Sequence, residues 1–184
     1  MNLAISVGGY AHYDLVTQAD YVLQAEKMGI NTVWSAEGWG EDAVTSLAYL
    51  AALTNRVKLG TGIMQISARV PAITAMTALS MANLSGDRFL LGLGTSGPRV
   101  VEGLHGVKYD KPLTRLKETV EIVRLAAKGD KIDYSGKVHK LPLPNGQGKA
   151  IRLSSPSRSL PIYLATIAPQ ALRYTGRVAD GWLG

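Results

Sequence analysis

Few side chains in this chain of 184 residues can carry chemistry, and their types and spacing narrow the choices early. Cysteine is absent, so thiolate nucleophiles, thiolate metal sites and disulfides are excluded. Neither the paired histidines of a metallohydrolase, nor a Walker phosphate loop, nor a nucleophile elbow occurs. No metal site is expected. The ionisable groups that fall near the C-terminal ends of predicted strands are His12, Glu37, Glu102 and His105. Glu37 follows Val33-Trp34-Ser35-Ala36, which aims a carboxylate at the mouth of a sheet, as a cofactor contact or as a solvated loop residue. His12 and His105 stand alone, and for each a surface loop role outweighs acid–base catalysis.

Glycines supply the other chemical signal. Gly92-Leu93-Gly94-Thr95-Ser96-Gly97 has the spacing of a dinucleotide-binding loop directly after a strand. The context argues against that use. Gly103 and Gly106 break the segment where a long helix should begin, and no second strand ends in an acidic residue about 20 positions on. The loop reads instead as backbone that approaches a ring or phosphate closely, with a plain tight turn as the alternative. Gly60 and Gly62 interrupt an otherwise good strand, marking a bulge or a close backbone contact. Ala165-Thr166-Ile167-Ala168-Pro169 joins a strand to a helix whose first N–H groups can hold an anion, with the Thr166 hydroxyl available to assist.

The elements that position these residues repeat as strand, loop and helix. Strands are expected at 3–7, 32–35, 57–64, 89–93 and 162–165, with a sixth opening at 180–184. Helices are expected at 14–27, 41–53, from 71 to near 86, 113–128 and 169–178. Asp14 is the expected N-cap of the first helix and Gly29 its stop. Phe89-Leu90-Leu91-Gly92-Leu93 is apolar on both faces, as a parallel strand covered by helices must be. Residues 129–160 form an inserted hairpin and loop within a single partial barrel domain, 1–184.

An eight-fold barrel needs about 250 residues, and this chain supplies five βα units and the start of a sixth. It therefore reads as truncated, with an open doubly wound sheet as the alternative. The net charge of +6 comes from scattered Lys and Arg, so a solvated basic surface or an anionic ligand fits better than nucleic acid. No apolar run is long enough to span a bilayer, and a cytoplasmic location is expected.

The runs from Val57 to Pro71, Thr74 to Leu79 and Leu84 to Pro98 resemble the bacterial luciferase-like oxidoreductases, with the greatest likeness to the branch that uses coenzyme F420, a deazaflavin. The segments 100–106, 111–115 and 179–183 match too. The resemblance implies the front part of a (β/α)8 TIM barrel and hydride transfer with a small organic substrate, in a homodimer. It implies coenzyme F420 as cofactor, with FMN and a monooxygenase reaction as the alternative, and a non-catalytic flavin-binding protein as a further one. It also places a cis peptide at Gly62-Ile63, with Ile63 against the cofactor ring. Glu37 matches an acidic cofactor contact, Gly94, Thr95, Ser96 and Gly97 match a loop beside the ring, and Thr166 and Ile167 match the loop that holds the phosphate. Relatives that oxidise a sugar phosphate carry histidine where this chain has Gly38, so that activity is not expected.

Overall fold

The computed structural model describes residues 2–8 and 14–184. They divide into two compact units, one of residues 1–64, 81–94 and 161–184, the other of residues 65–80 and 95–160.

The first unit holds a parallel sheet. Its strands are β1 (Ala4–Gly8), β2 (Thr32–Ala36), β3 (Lys58–Thr61), β5 (Phe89–Gly94), β8 (Ile162–Ala165) and β9 (Gly181–Leu183), hydrogen-bonded in that order. All of these pairings are parallel. Sequential parallel strands with helical crossovers are the wiring of the luciferase-like (β/α)8 barrel, as expected. One face is fully buried: Val33, Leu59, Leu91, Leu93, Ile162 and Leu164 are all inaccessible to solvent. Burial of each contributes about 1.5–3 kcal/mol, so this face holds the unit together. Helix α1 (Leu15–Lys27) starts at Asp14, whose Oδ1 accepts from Thr17 N at 2.9 Å, and stops before Gly29, at φ 97°. Helix α2 starts two residues later than expected, at Ala43–Leu53, because Asp42 rather than a residue before Glu41 accepts from the N–H groups of Val44 and Thr45.

On the opposite face small and large residues interlock. Trp34 lies where a side chain on Gly60 would be, 2.2 Å from an added Cβ, and Tyr163 does the same at Gly181, at 2.1 Å. The two rings meet edge to face with centroids 5.2 Å apart.

At the N-terminal ends of the strands, Arg88 donates to the carbonyls of Ala51, Thr54, Val57 and Ser85. Glu26 accepts there from the N–H groups of Asn55, Arg56 and Val57. Both groups satisfy backbone left over where α2 ends and β3 begins.

The second unit is built on α5 (Pro112–Ala127), which buries Leu116, Val120, Val123 and Ala126 along one stripe. The hairpin expected between 129 and 160 is present as β6 (Tyr134–Ser135) paired antiparallel with β7 (Lys140–Leu141). Its turn is held by Glu118 on α5, which is 5% exposed and accepts from the N–H groups of Lys137, Val138 and His139. A short helix, α4 (Pro98–Gly103), stops at Gly103, one of the two glycines expected to break this stretch. The remaining elements are β4 (Met64–Gln65), α3 (Pro71–Leu84) and α6 (Pro169–Val178).

Candidate active site

The C-terminal edge of a parallel sheet is where side chains and loop N–H groups are free to face a ligand, since the helix N-termini point there. In the first unit this edge presents Glu37 after β2, Gly62 and Ile63 after β3, Gly94 at the end of β5, and Thr166 and Ile167 after β8. The register sets them in a row. Ser35 pairs with Thr61, and Gly94 pairs with Ala165, so Gly94 ends the paired register and the other residues lie one or two positions beyond a paired neighbour.

The bulge after β3 has a defined shape. Gly62 N donates to Ser35 O at 2.7 Å, and the peptide between Gly62 and Ile63 is cis, as the resemblance implied. The buried Thr61 hydroxyl replaces a ladder bond, donating to Gly92 O at 2.8 Å and accepting from Gly92 N at 2.9 Å. The space a side chain at Gly92 would need is held by the Thr61 carbonyl, 1.8 Å from an added Cβ. At Gly94 it is held by the Ile63 side chain, at 2.9 Å. Two glycines of the loop thus serve the protein's own backbone and side chains. Gly97 differs, because nothing lies within 4 Å of an added Cβ there.

Thr166 is 5% exposed, and its hydroxyl lies 2.8 Å from that of Thr175. Thr175 donates its one hydroxyl hydrogen to Ala171 O, so Thr166 must be the donor between the two. That hydroxyl is committed inward and retains only lone pairs. Beyond it Ile167 is 88% exposed, and Ala168 caps α6 without any side-chain bond. Trp182 braces the loop through Nε1 donating to Thr166 O at 2.9 Å. Neither Thr61 nor Trp182 was singled out from the sequence, where a threonine inside a strand and a tryptophan near the chain end carry no distinctive pattern.

Thr95, Ser96, Gly97 and His105 lie in the second unit. Ser96 has φ 53°, and its carbonyl accepts from the Tyr109 hydroxyl at 3.2 Å. His105 Nε2 lies 3.2 Å from Gln65 Oε1, a side-chain pair that holds the imidazole in place. His12 lies outside the described residues.

The chain belongs to the luciferase-like monooxygenase family, whose sequence profile matches residues 4–184. A protein of Mycobacterium tuberculosis, provisionally named a coenzyme F420-dependent oxidoreductase, is 40% identical over all of this chain and 55% of its own length. Among solved structures, the coenzyme F420 dependent tetrahydromethanopterin reductase of Methanopyrus kandleri superposes with a TM-score of 0.82 at 23% identity, over 98% of this chain and 55% of that one. The oxygenating constituent of 3,6-diketocamphane monooxygenase of Pseudomonas putida, in complex with FMN, gives 0.80 at 16%, over 98% and 56%. The chain spans about half the length of the curated relatives it matches. Among the described residues no helix is long and apolar enough to cross a membrane.

Proposed function

We propose that the chain supplies the cofactor-facing half of a coenzyme F420-dependent oxidoreductase acting on a small organic substrate. The observation that carries this is the match over the whole of this chain, at 40% identity, to 55% of a relative named for that cofactor. The site has the features such a group needs. Ile63, seated over Gly94, offers an apolar surface, and the outward Ile167 and uncapped start of α6 offer N–H groups to a phosphate. Glu37 is the candidate polar contact, and Thr95, Ser96 and Gly97 are the candidate loop contacts. A bound deazaflavin supplies hydride chemistry, while the protein fixes distance and face.

FMN is the second reading, favoured by the likeness in fold to an FMN-bound monooxygenase. Titration of the protein with each cofactor, followed by absorbance and fluorescence, separates the two. Tighter binding of the deazaflavin is expected, weakening with salt because the net charge of +6 meets an anionic tail. Equal or tighter FMN binding refutes the assignment. Binding of either without turnover of any substrate favours the non-catalytic reading. Homodimerisation and a cytoplasmic location are part of the same proposal, and sedimentation tests the first.

A further inference from the structure

Residues 128–160 hold seven of the chain's 20 Lys and Arg but two of its 14 Asp and Glu, so this stretch carries +5 of the net charge of +6. The stretch lies entirely within the second unit. Lys128, Lys131, Lys137, Lys140, Lys149 and Arg152 are all exposed, as are the acidic pair Asp130 and Asp133. None of these eight side chains forms an ion pair among the described residues.

Two of the cations are held side by side. Lys131 and Arg152 face each other in an isolated antiparallel bridge. Next to it Ile132 N donates to Ile151 O at 2.9 Å, which makes the bridge a non-hydrogen-bonded pair, the closer of the two antiparallel spacings. Like charges directly opposite each other oppose pairing, and a counter-charge from outside the chain would relieve them. Aliphatic side chains are exposed among the cations. Ile151, beside Arg152, is 67% exposed. Leu143 is 73% exposed in a turn between Lys140 and Lys149, where Gly146 N donates to Leu143 O at 3.0 Å. Single-stranded nucleic acid is bound by cations together with aromatic rings on which bases stack. The one Tyr, Trp or Phe of this stretch, Tyr134, is half-buried and bonded through its hydroxyl to Glu121. Cations interleaved with exposed aliphatic side chains suit instead an anionic lipid surface, with charge in its headgroups and apolar depth behind them.

We propose that the segment 128–160 docks reversibly on an anionic lipid surface, with Lys131 and Arg152 receiving headgroup oxyanions and Leu143 entering the acyl boundary. The cofactor-free protein is titrated with two kinds of vesicle, one of phosphatidylcholine alone and one of equal parts phosphatidylcholine and phosphatidylserine, and binding is read by co-sedimentation. Binding to the mixed vesicles only is expected, and it should fall as added salt screens the headgroups. A cation at the surface strengthens binding about fivefold, so Lys131→Gln combined with Arg152→Gln should weaken it about thirtyfold. Leu143→Ser should weaken it about fivefold through lost apolar burial. Lys27 and Lys58 are exposed cations outside the segment. Changing both of those to Gln should weaken binding less than about threefold. Equal binding to neutral and mixed vesicles, or binding to neither, overturns the proposal whether or not the variants fold. So does an equal loss from the two double variants, which would assign the effect to net charge alone, or a Leu143→Ser protein that binds unchanged. Tighter binding to duplex DNA or to polyglutamate than to the mixed vesicles assigns the segment to an acidic polymer and overturns the lipid assignment. No cofactor enters the test, so its result stands apart from the oxidoreductase reading.

Discussion

Replacing Glu118 with Gln preserves volume and removes an acceptor where three donors converge. In the structure Oε1 accepts from Lys137 N at 2.7 Å, Oε2 accepts from His139 N at 2.7 Å, and Val138 N lies 3.0 Å from Oε2. A carboxamide has one oxygen, so its NH2 must face a backbone N–H. One unsatisfied N–H costs about 1–3 kcal/mol, and two bonds reduced from charge-assisted to neutral add about 1 kcal/mol, for a loss of about 2–4 kcal/mol. The loss should be local. Gly136 packs against the same carboxyl group, so closely that an added Cβ would lie 2.5 Å from it. The pH dependence carries a sign. Burial alone would raise the Glu118 pKa, but the N–H groups of His139, Lys137 and Val138 outweigh it, and the carboxyl is held below the ordinary range. A carboxyl with a lowered folded-state pKa stabilises above its unfolded value, and that stability is lost as pH falls through the folded value. The gap between native and E118Q proteins should therefore be full at pH 7 and shrink in acid. Urea unfolding across pH, with hydrogen exchange at the amides of 137–139, measures both. A gap under about 0.5 kcal/mol at pH 7, or one that does not narrow in acid, refutes the reasoning.

The glycine loop should divide in two. Gly92→Ala is expected to abolish soluble folded protein, since the Thr61 carbonyl sits 1.8 Å from the new Cβ, whereas Gly97→Ala should leave the melting temperature within about 2 °C and weaken deazaflavin binding. Expression yield and a thermal melt with cofactor titration decide it. Thr166→Val should cost about 1 kcal/mol by stranding Thr175, yet leave cofactor affinity within about twofold, because the hydroxyl is turned inward. A tenfold loss of affinity would show that the hydroxyl does reach the ligand. Arg88→Lys keeps the charge but not the fork that serves the carbonyls of Ala51, Thr54 and Val57, and should lower stability by about 2–4 kcal/mol in urea unfolding.

Legible in the sequence were those features whose cause is local. The apolar run Phe89–Leu93 could only be a strand covered on both sides, and Asp14 and Gly29 bracket the first helix by cap chemistry alone. Adjacent acidic residues blurred the start of α2, since Glu41 and Asp42 can each sit there and only the geometry selects Asp42. Features with distant partners were hidden. The donors to Glu118 are backbone groups 19 to 21 residues further on, which leave no mark on side-chain identity. The spacing of Gly92 and Gly94 suggested room for a ligand, yet the occupants are Thr61 and Ile63, some 30 residues earlier.

The interlock of Trp34 with Gly60 and of Tyr163 with Gly181 has a consequence for how the sheet finds its alignment. Parallel strands with uniformly apolar faces are poorly distinguished from their own shifted pairings, since one aliphatic neighbour is much like another. A ring that fits only over a bare Cα narrows that ambiguity. Moving β3 by two positions would bring Lys58 or Gly62 beneath Trp34, and only the glycine could be accepted. Each aromatic thus works as a key that turns only over a glycine, and a notch filled by a longer side chain is refused by volume rather than by charge. Alanine at 60 alone should jam the lock, while a smaller ring at 34 together with alanine at 60 should turn it again.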